Sequence, residues 1–375
     1  MKKICLFISS LHRAGAERVM VQLAEHLSAE GMEVTLVTQV DDRGRPDSFT
    51  VSEGIRRRFS DLTDNEITKS RIVNFVRRYR KLQRIWEEEK PELILSFIGK
   101  NNVMAIQTAK KLKIPVVAAV RGDPALEYAD SRTRKAAFKL FKEAAGIAVQ
   151  TEEGKTFFPA DIQKQCVILP NPIAESFCTD RFTGERKKEI VCVGRIDDNK
   201  NQRMLLEAFG GIADAYPAYQ LRFFGTGPMA ETLEQEAKDM GLEENVLFLG
   251  HRDDIASEIR DASVFVLPSD TEGMPNALLE AMALGLPVIS TDCPCGGPRD
   301  LIREKENGLL IPVRDKEALR EALLFVITHP EEAAKMGEEA AKVQERFAPE
   351  KALSAWSGYL RETAARYHKE GASLK

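Results

Sequence analysis

Residues 269–288, with the sequence SDTEGMPNALLEAMALGLPV, contain the pattern that decides the fold. An apolar strand precedes this stretch, a turn with Gly273 and Pro275 begins a helix, and Gly285 ends that helix before the next apolar strand. At such a turn we expect the backbone N–H groups of residues 273, 274, 276 and 277 to face a ligand, because the positive end of a helix dipole favours an anion. The stretch therefore predicts a parallel sheet with an anion site beyond a strand end.

Apolar strands and helix-period segments alternate along the whole chain, in two series. The expected strands are 4–9, 34–38, 93–97, 116–120 and 147–149 in the first series, and 190–193, 221–224, 246–249, 264–267 and 288–290 in the second. Strands that alternate with helices indicate parallel sheets covered on both faces. The predicted fold class is therefore α/β, with doubly wound, Rossmann-like sheets.

The two series are separated by Leu169-Pro170-Asn171-Pro172, whose prolines exclude a continuous helix or a central strand. We therefore predict two domains of similar size, residues 1–172 and 173–352. In open sheets of this type ligands bind beyond the carboxyl ends of the strands, so we expect the site in a cleft where the domains face each other.

The charge is unevenly distributed over the 375 residues. The chain has 54 Lys+Arg and 58 Asp+Glu, a net charge of -4. Residues 1–172 contain 29 basic and 22 acidic residues, a net of +7, and the remainder contains 25 and 36, a net of -11. A basic first half attracts phosphates, an anionic membrane surface or nucleic acid. No zinc-finger, basic-zipper or aromatic RNA-binding motif accompanies it, so we expect no nucleic-acid partner.

The apolar runs and the cysteines indicate the compartment. No apolar run approaches the roughly 18 residues that a membrane span needs. The first apolar run is short and is broken by His12 and Arg13, which favours a buried strand over a signal peptide. The six cysteines lack the paired spacing of a zinc site, and we expect reduced thiols. We therefore expect a cytoplasmic protein.

Four charged residues could bind one extended, anionic ligand. Arg195 and Lys200 follow a buried strand, and both cations can converge on a polyanion. Glu272 stands at the turn before the helix and Glu280 about two helical turns further on, and carboxylates accept hydrogen bonds from paired sugar hydroxyls. Taken singly, these residues could equally be solvated surface charges.

In combination, these residues resemble the retaining glycosyltransferases of family 4, which have the two-domain Rossmann-like architecture called GT-B. The resemblance rests on Glu272 and Glu280 within EGMPNALLEAMALGLPV and on the following further segments: Val193-Gly194-Arg195, Lys200, Phe224-Gly225-Thr226-Gly227-Pro228, Arg13-Ala14-Gly15-Ala16-Glu17-Arg18 and Gly296-Gly297-Pro298. The spacing is respected over almost the whole chain. The resemblance implies that the C-terminal helix, 353–375, packs back on the first domain.

The resemblance implies how a nucleoside diphosphate sugar is bound. Arg195 and Lys200 would bind the diphosphate and stabilise the leaving nucleoside diphosphate, Glu280 would bind the ribose hydroxyls and Glu272 the donor sugar. The further donor-binding positions are Gly15, Gly225, Gly227, Arg252, Gly273, Met274, Asn276 and Ala277. The loop 250–253, which contains Arg252, would hold the base largely through backbone groups. Uracil is the commonest base in the family, and guanine stays open.

The sequence departs from the family pattern after the strand 116–120. Many relatives have a histidine near the reacting centre there, whereas this chain reads Arg121-Gly122-Asp123. Arg121 would supply a fixed positive charge and cannot act as a base, which leaves Asp123 to orient an acceptor hydroxyl. The alternative is a contact between Arg121 and Asp123 that only shapes the loop. His12 is a further candidate on the acceptor side.

We expect transfer without a metal or other cofactor. No Asp-x-Asp triplet lies between strands, and Arg195, Lys200 and a helix N-terminus already supply positive charge. The family offers no carboxylate placed as a nucleophile, so the resemblance implies same-face attack with retention of configuration. The leaving phosphate oxygen would then accept the acceptor's proton.

A basic helix is predicted over residues 67–88. Its expected core face consists of Ile72, Phe75, Val76, Tyr79, Leu82 and Trp86. A basic stripe is formed by Arg77, Arg80, Lys81 and Arg84, with Arg71 and Arg78 beside it. Such a stripe suits anionic lipid headgroups or the diphosphate of a lipid-linked acceptor, on the inner face of the plasma membrane. A solvated surface helix is the alternative.

These features predict a glycosyltransferase that moves a hexose or N-acetylhexosamine from a UDP-sugar to a glycan or a polyprenyl-diphosphate-linked oligosaccharide. The strings PNALLEA and DCPCGGP resemble a subgroup that often builds bacterial surface polysaccharides on polyprenyl carriers. Two alternatives remain open at this point: a GT-B-fold sugar-nucleotide epimerase, and a non-catalytic sugar-nucleotide-binding module.

Overall fold

In a computed structural model of the protein, residues 1–12, 15–39 and 47–373 are described, with side chains up to residue 369. The chain divides into a first unit, Met1–Pro170 together with the segment from Glu350 onward, and a second unit, Asn171–Pro349. These bounds lie within three residues of the predicted domain bounds. Each unit has its own hydrophobic cores on the two faces of its sheet.

The first unit is built on a parallel sheet of seven strands. They are β1 (Lys3–Ile8), β2 (Glu33–Thr38), β3 (Arg56–Phe59), β4 (Leu93–Phe97), β5 (Val116–Ala119), β6 (Gly146–Val149) and β7 (Cys166–Ile168), in the order β3-β2-β1-β4-β5-β6-β7. The helices between them are α1 (Gly15–Ala29), α2 (Arg71–Glu89), α3 (Gly99–Lys110), α4 (Pro124–Glu127), α5 (Ser131–Phe141), α6 (Glu152–Thr156) and α7 (Ala160–Gln163).

The second unit is built on a parallel sheet of six strands. They are β8 (Lys187–Val193), β9 (Gln220–Phe224), β10 (Val246–Phe248), β11 (Ala262–Leu267), β12 (Val288–Thr291) and β13 (Leu309–Ile311), in the order β10-β9-β8-β11-β12-β13. Its helices are α8 (Gln202–Gly210), α9 (Ala230–Asp239), α10 (Ile255–Ile259), α11 (Asn276–Ala283), α12 (Gly297–Leu301), α13 (Lys316–Thr328), α14 (Pro330–Ala341) and α15 (Val343–Phe347). A short 3-10 helix, Glu175–Phe177, precedes β8.

The predicted fold class, two doubly wound α/β units, is confirmed by these two sheets. The ten predicted strands are all present, with ends shifted by up to three residues. The strands that the prediction lacks are β3, β7 and β13, and each lies at an edge of its sheet. β7 and β13 are apolar but have only three residues each, so their pattern is too short to indicate a strand, whereas the partly exposed edge strand β3 has no apolar run. In β3, three successive arginines precede Phe59, and Arg56 and Arg58 pair with the buried Glu89 of α2.

The C-terminal helix α16 (Pro349–Ser373) packs on the first unit. Trp356 is fully buried there, with its ring centroid 5.8 Å from that of Phe97 in β4. Its Nε1–H donates to the carbonyl of Pro170 at 2.9 Å. Leu360 and Ala364 continue the same buried face. The last helix thereby completes one core of the first unit.

The predicted core face of α2 is wrong in its first half. Ile72, Phe75 and Val76 are exposed by 78%, 50% and 38%. Leu82 and Trp86 are buried as predicted. The helical period was read correctly, but only the second half of α2 has a core to pack against. None of the helices in the described residues is both long and apolar enough to cross a membrane.

Candidate functional site

Two loops at the carboxyl ends of β8 and β11 are bonded to each other in the second unit. The side chain of Asn199 donates to the carbonyl of Thr271 at 3.1 Å and accepts from its hydroxyl at 2.7 Å. The backbone N–H of Asp270 donates to the carbonyl of Asn199 at 2.7 Å. Asn201, which caps α8, donates to the Asp270 carboxylate at 3.0 Å. The predicted phosphate-binding loop and the predicted sugar-binding turn are therefore held as one structure.

This loop pair brings Lys200 and Glu272 into direct contact. The Lys200 ammonium donates to Oε1 of Glu272, and the same oxygen accepts from the Ser269 hydroxyl at 2.7 Å. Both side chains are largely buried, with 25% of Lys200 and 12% of Glu272 exposed. Burial lowers the pKa of Lys200, but the neighbouring acidic groups, with Glu272 as the main contributor, together outweigh it and the net shift is upward. Lys200 is therefore a fixed cation at the mouth of α11.

Arg195 occupies the same loop but has a different partner. Its guanidinium lies 3.3 Å from Oδ2 of Asp197, and 69% of the side chain is exposed. Its backbone carbonyl is held by the buried side chain of Gln202 at 2.9 Å. The backbone of Arg195 is thus fixed while its long side chain extends into solvent, where it can reach a ligand.

Gly225 and Gly227 position this loop through space that a side chain would fill. A Cβ on Gly225 would lie 1.9 Å from the carbonyl oxygen of Gly194, and one on Gly227 would lie 2.0 Å from that of Ile196. The backbone N–H of Gly225 also donates to the carbonyl of Gly250 at 2.8 Å. These glycines therefore let the loops after β8, β9 and β10 approach one another. Sequence resemblance assigned them to donor binding, and the geometry adds this role in loop packing.

The turn into α11 is held from two sides. Asn171 is 2% exposed, and its amide donates to the carbonyl of Met274 at 3.2 Å and to Oδ1 of Asn276 at 2.6 Å. On the other side, the carbonyl of Gly273 would lie 1.6 Å from a Cβ on Gly297. Asn171 was interpreted from sequence only as part of a linker. A polar residue between two prolines was the available signal for its role.

The remaining donor-side candidates differ in exposure. Glu280 is 6% exposed on α11, and the side chain of Met274 is buried in the core together with part of Ala277. Arg252 is exposed, with Nε 3.7 Å from the carboxylate of Glu258. Met274 and Ala277 can therefore contribute only backbone groups to a ligand, whereas Arg252 and Glu280 can offer side chains.

In the first unit, Arg121 follows β5 and is held by two aromatic rings. Its guanidinium carbon lies 4.7 Å from the ring centroid of Phe97 and 5.3 Å from that of Trp356. Burial lowers the pKa of Arg121, and the Glu127 carboxylate opposes this shift. Arg121 thus connects the end of β5 to α16. Asp123 caps α4, because its carboxylate accepts from the backbone N–H of Ala125 at 2.8 Å.

Glu127 is a residue of this loop that sequence reasoning missed. Its Oε1 accepts the backbone N–H groups of Arg121 at 3.2 Å and Gly122 at 2.9 Å. A glutamate four residues after an Asp-Pro helix start gives no signal of burial in the sequence. The structure therefore assigns the shape of the 121–123 loop to Glu127 as well as to the Asp123 cap.

Glu127 predicts a pH dependence of the first unit. Burial raises the pKa of its carboxyl from 4.5 to about 7. The folded state then binds more protons than the unfolded state between these values, so stability falls as the pH rises through this window. We expect the free energy of unfolding of the first unit to be lower at about pH 8 than at about pH 5, by on the order of 2 kcal/mol, and Glu127→Gln to remove this difference.

Fluorescence can measure this effect selectively, since both tryptophans, Trp86 and Trp356, are buried in the first unit. Urea unfolding followed by tryptophan emission at the two pH values is the measurement. Glu87→Gln, which alters an exposed glutamate of α2, is the control. An equal pH dependence in wild type and Glu127→Gln would show that another group is responsible.

The remaining candidates of the first unit are the donor-binding position Gly15 and, on the acceptor or membrane side, His12 and the basic stripe. His12 is half-buried in the loop after β1, and Gly15 is the first residue of α1. Arg13 and Ala14, between them, lie outside the described residues. In the basic stripe, Arg80 and Arg84 are exposed, Lys81 lies 3.6 Å from the carboxylate of Glu66, and Arg77 donates to the Glu66 carbonyl.

Family models match both units. The model described as "Glycosyl transferases group 1" matches residues 179–343, and the model described as "Glycosyl transferase 4-like domain" matches residues 14–153. The chain belongs to these glycosyltransferases, and its two Rossmann-like sheets have the GT-B fold. The prediction of a GT-B glycosyltransferase, made from the Glu272–Glu280 stretch and its associated segments, is thereby confirmed.

Relatives and a solved structure agree with this assignment. The chain is 25% identical over 337 residues, 87% of this chain and 89% of the relative, to the Campylobacter jejuni "GalNAc-alpha-(1->4)-GalNAc-alpha-(1->3)-diNAcBac-PP-undecaprenol alpha-1,4-N-acetyl-D-galactosaminyltransferase". It is 25% identical over 335 residues, 84% of each chain, to the Escherichia coli "UDP-Gal:alpha-D-GlcNAc-diphosphoundecaprenol alpha-1,3-galactosyltransferase". Sucrose-phosphate synthase from Thermosynechococcus elongatus has a similar fold, with a TM-score of 0.84 at 20% identity over 98% of this chain and all of that one.

Proposed function

We propose that this glycosyltransferase transfers a sugar, with retention of configuration, from a UDP-sugar to a polyprenyl-diphosphate-linked glycan. The observation that carries the proposal is the contact between Lys200 and Glu272 at the mouth of α11, with the buried Glu280 further along the same helix. A cation and a carboxylate in contact before the start of α11, with a second carboxylate within that helix, suit phosphate, sugar and ribose respectively. The Escherichia coli relative, named for UDP-galactose, supports the choice of base.

In the proposed reaction, Lys200 and Arg195 bind the diphosphate and stabilise the charge that develops as the sugar leaves. Lys200 then exchanges part of its contact with Glu272 for a phosphate oxygen, which frees the Glu272 carboxylate to accept sugar hydroxyls. The acceptor hydroxyl attacks the anomeric carbon from the face that the diphosphate leaves, and its proton passes to the leaving phosphate oxygen. This proposed route needs neither a carboxylate nucleophile nor a metal, as the resemblance to the retaining glycosyltransferases of family 4 implies.

The proposed acceptor follows from chemistry that two relatives share. Both are named for substrates in which a glycan is joined through a diphosphate to undecaprenol. The basic first unit suits such a diphosphate, because residues 1–172 have a net charge of +7. The sugar transferred is proposed only as a hexose or N-acetylhexosamine, and the reaction as one at the cytoplasmic face of the membrane.

Ligand-induced thermal stabilisation tests the donor site directly. In EDTA, UDP at 100 times its dissociation constant should stabilise the wild type by about 2.7 kcal/mol, a shift of several degrees. Glu280→Ala should lose most of this shift, because the ribose hydroxyls lose their acceptor. The matched control is Glu234→Ala, which removes an exposed helical glutamate of the second unit that pairs with Lys238.

The outcomes separate the proposal from its rivals. Stabilisation by GDP and not UDP would change the base but keep the site. If no nucleotide shifted the melting temperature in EDTA but one did so with Mg²⁺, metal-independent binding would be contradicted. Turnover of UDP-sugars to epimerised sugar without acceptor would favour the epimerase, and release of UDP only when a polyprenyl-diphosphate glycan is added would support transfer.

A further inference from the structure

Exposed apolar side chains are concentrated at one place on the first unit. Of the seven large hydrophobic side chains that are exposed in the described ranges, five lie between residues 67 and 76. They are Ile67, Ile72, Val73, Phe75 and Val76, and their exposed fractions run from 38% to 78%. Single exposed apolar residues are ordinary, but a contiguous group of large ones marks a contact surface.

The helical period divides the first half of α2 into two neighbouring strips. At about 100° per residue, Phe75, Ile72 and Val76 fall within one strip about 100° wide. The adjacent strip contains Arg77, Arg80 and Arg84 together with Lys81. Arg71 lies at the start of the helix, and no acidic residue occurs from Ile67 to Trp86. We name these two strips the apolar strip and the basic strip of α2.

The cations of α2 are only partly engaged by neighbouring carboxylates. Asp61 pairs with Arg78 at 2.8 Å, and Glu66 lies 3.6 Å from Lys81. Arg71, Arg77, Arg80 and Arg84 are exposed. Arg77 donates to the backbone carbonyl of Glu66, and among the described residues no carboxylate pairs with it. The exposed arginines thus stand beside the apolar strip with their positive charge directed to solvent.

We propose that the first half of α2 docks on an anionic lipid bilayer, with Ile72, Phe75 and Val76 entering the interface between headgroups and acyl chains. An apolar strip edged by arginines is complementary to such an interface, because the acyl chains and the phosphates of the lipids lie at adjacent depths. The apolar side chains would contact the acyl chains, and the arginines would contact the phosphates. A protein partner of matching shape would need acidic groups set beside an apolar groove. The bilayer presents both features everywhere on its surface.

This docking deepens the proposed function. It rests on that function only for its biological role, which is to bring the enzyme to an acceptor in the membrane. A polyprenyl-linked glycan stays in the membrane, so an enzyme that binds the bilayer meets its acceptor by diffusion in two dimensions. The contact itself needs no acceptor. It should therefore occur with vesicles that contain no polyprenyl lipid, which distinguishes lipid headgroups from the acceptor's diphosphate as the source of the anion.

The test is co-sedimentation of the full chain with vesicles of equimolar phosphatidylglycerol and phosphatidylethanolamine. We expect binding that weakens at high salt and with phosphatidylcholine vesicles. The triple variant Ile72→Ser/Phe75→Ser/Val76→Ser keeps every charge, and it should lower the partition coefficient of the protein onto these vesicles by roughly tenfold or more. Arg80→Glu/Arg84→Glu keeps the apolar strip and should also weaken it. Leu126→Ser and Met240→Ser, at exposed positions elsewhere, should leave binding unchanged.

Folding and donor binding are checked in the same samples. The exposed positions should tolerate serine, so each variant should retain its melting temperature and its stabilisation by UDP. Failure of UDP stabilisation in every sample, with vesicle binding intact, would overturn the proposed donor but keep the docking surface. Vesicle binding equal to wild type in the triple variant would overturn the docking proposal. If the triple substitution instead abolished dimerisation of the chain and had no effect on vesicle binding, the docking proposal would be overturned and the apolar strip would contact a second copy of the chain.

Discussion

Replacement of Lys200 by alanine is expected to lower the kcat of sugar transfer by about 10²-fold, one of the two largest effects that the site predicts. The Lys200 ammonium is held by Glu272 at the mouth of α11 before any ligand arrives. Such a preorganised charge stabilises the leaving diphosphate without reorganisation, and removal of one such group typically raises the barrier by about 3 kcal/mol. Initial rates of UDP release at saturating donor are the measurement.

A double-mutant cycle with Glu272→Gln gives this prediction its sharpest form. Lys200 and Glu272 share a contact, so their effects should not add: once Lys200 is absent, Glu272→Gln should reduce the rate by less than it does in the wild type. Lys238→Ala is the matched control, since it breaks an exposed Lys–Glu pair of the same unit. Additive effects across the cycle, or wild-type turnover of Lys200→Ala/Arg195→Ala, would remove this pair from the mechanism.

The elements predicted from sequence are those whose residues face a fully buried environment. Central strands such as β4 and β11 are apolar apart from one serine each, because parallel strands in a doubly wound sheet are covered on both faces. The turn before α11 was predicted for a related reason, since Gly, Pro and a following helix leave few other conformations. In these places the local pattern and the fold impose the same requirement on each residue.

The parts that could not be predicted depend on distant neighbours. Asn171 acquires its role only because the fold brings it to Met274 and Asn276, more than 100 residues away along the chain. Arg121 was considered with Asp123, two residues away, whereas its rings come from β4 and α16. In α2, Ile72 and Phe75 have the period of a core face, but period alone does not reveal where the underlying core ends.

The glycines of the donor-side loops have one property that was predicted from the sequence and one that was not. Gly225 and Gly227 belong to the motif that carried the family resemblance, so their positions were predicted. Their packing role was not, because the atoms that a Cβ would meet belong to Gly194 and Ile196 in another loop. A tight approach of two backbones leaves no mark in either segment beyond the glycine itself.

Substitution of Gly225 by alanine is the second large effect that we expect, on both stability and donor binding. The new Cβ would lie 1.9 Å from the carbonyl oxygen of Gly194 and 2.8 Å from its carbon, so the loop before Arg195 has to move. The φ of +145° adds backbone strain, because L side chains rarely adopt it. We expect a loss of about 3 kcal/mol in the second unit, a melting temperature lower by on the order of 10 °C, and weak or absent binding of UDP.

The control isolates the close approach from the backbone strain. Gly241 also has a positive φ, +69°, but a Cβ there would meet nothing within 4 Å. Gly241→Ala should therefore destabilise the unit by only about 1 kcal/mol and leave UDP affinity unchanged, as calorimetric titration can measure. Equal melting temperatures and equal affinities in the two variants would mean that contact between the loops after β8 and β9 does not set the donor site. A large difference in affinity would show that the position of the Arg195 loop is fixed by the absence of a side chain at Gly225.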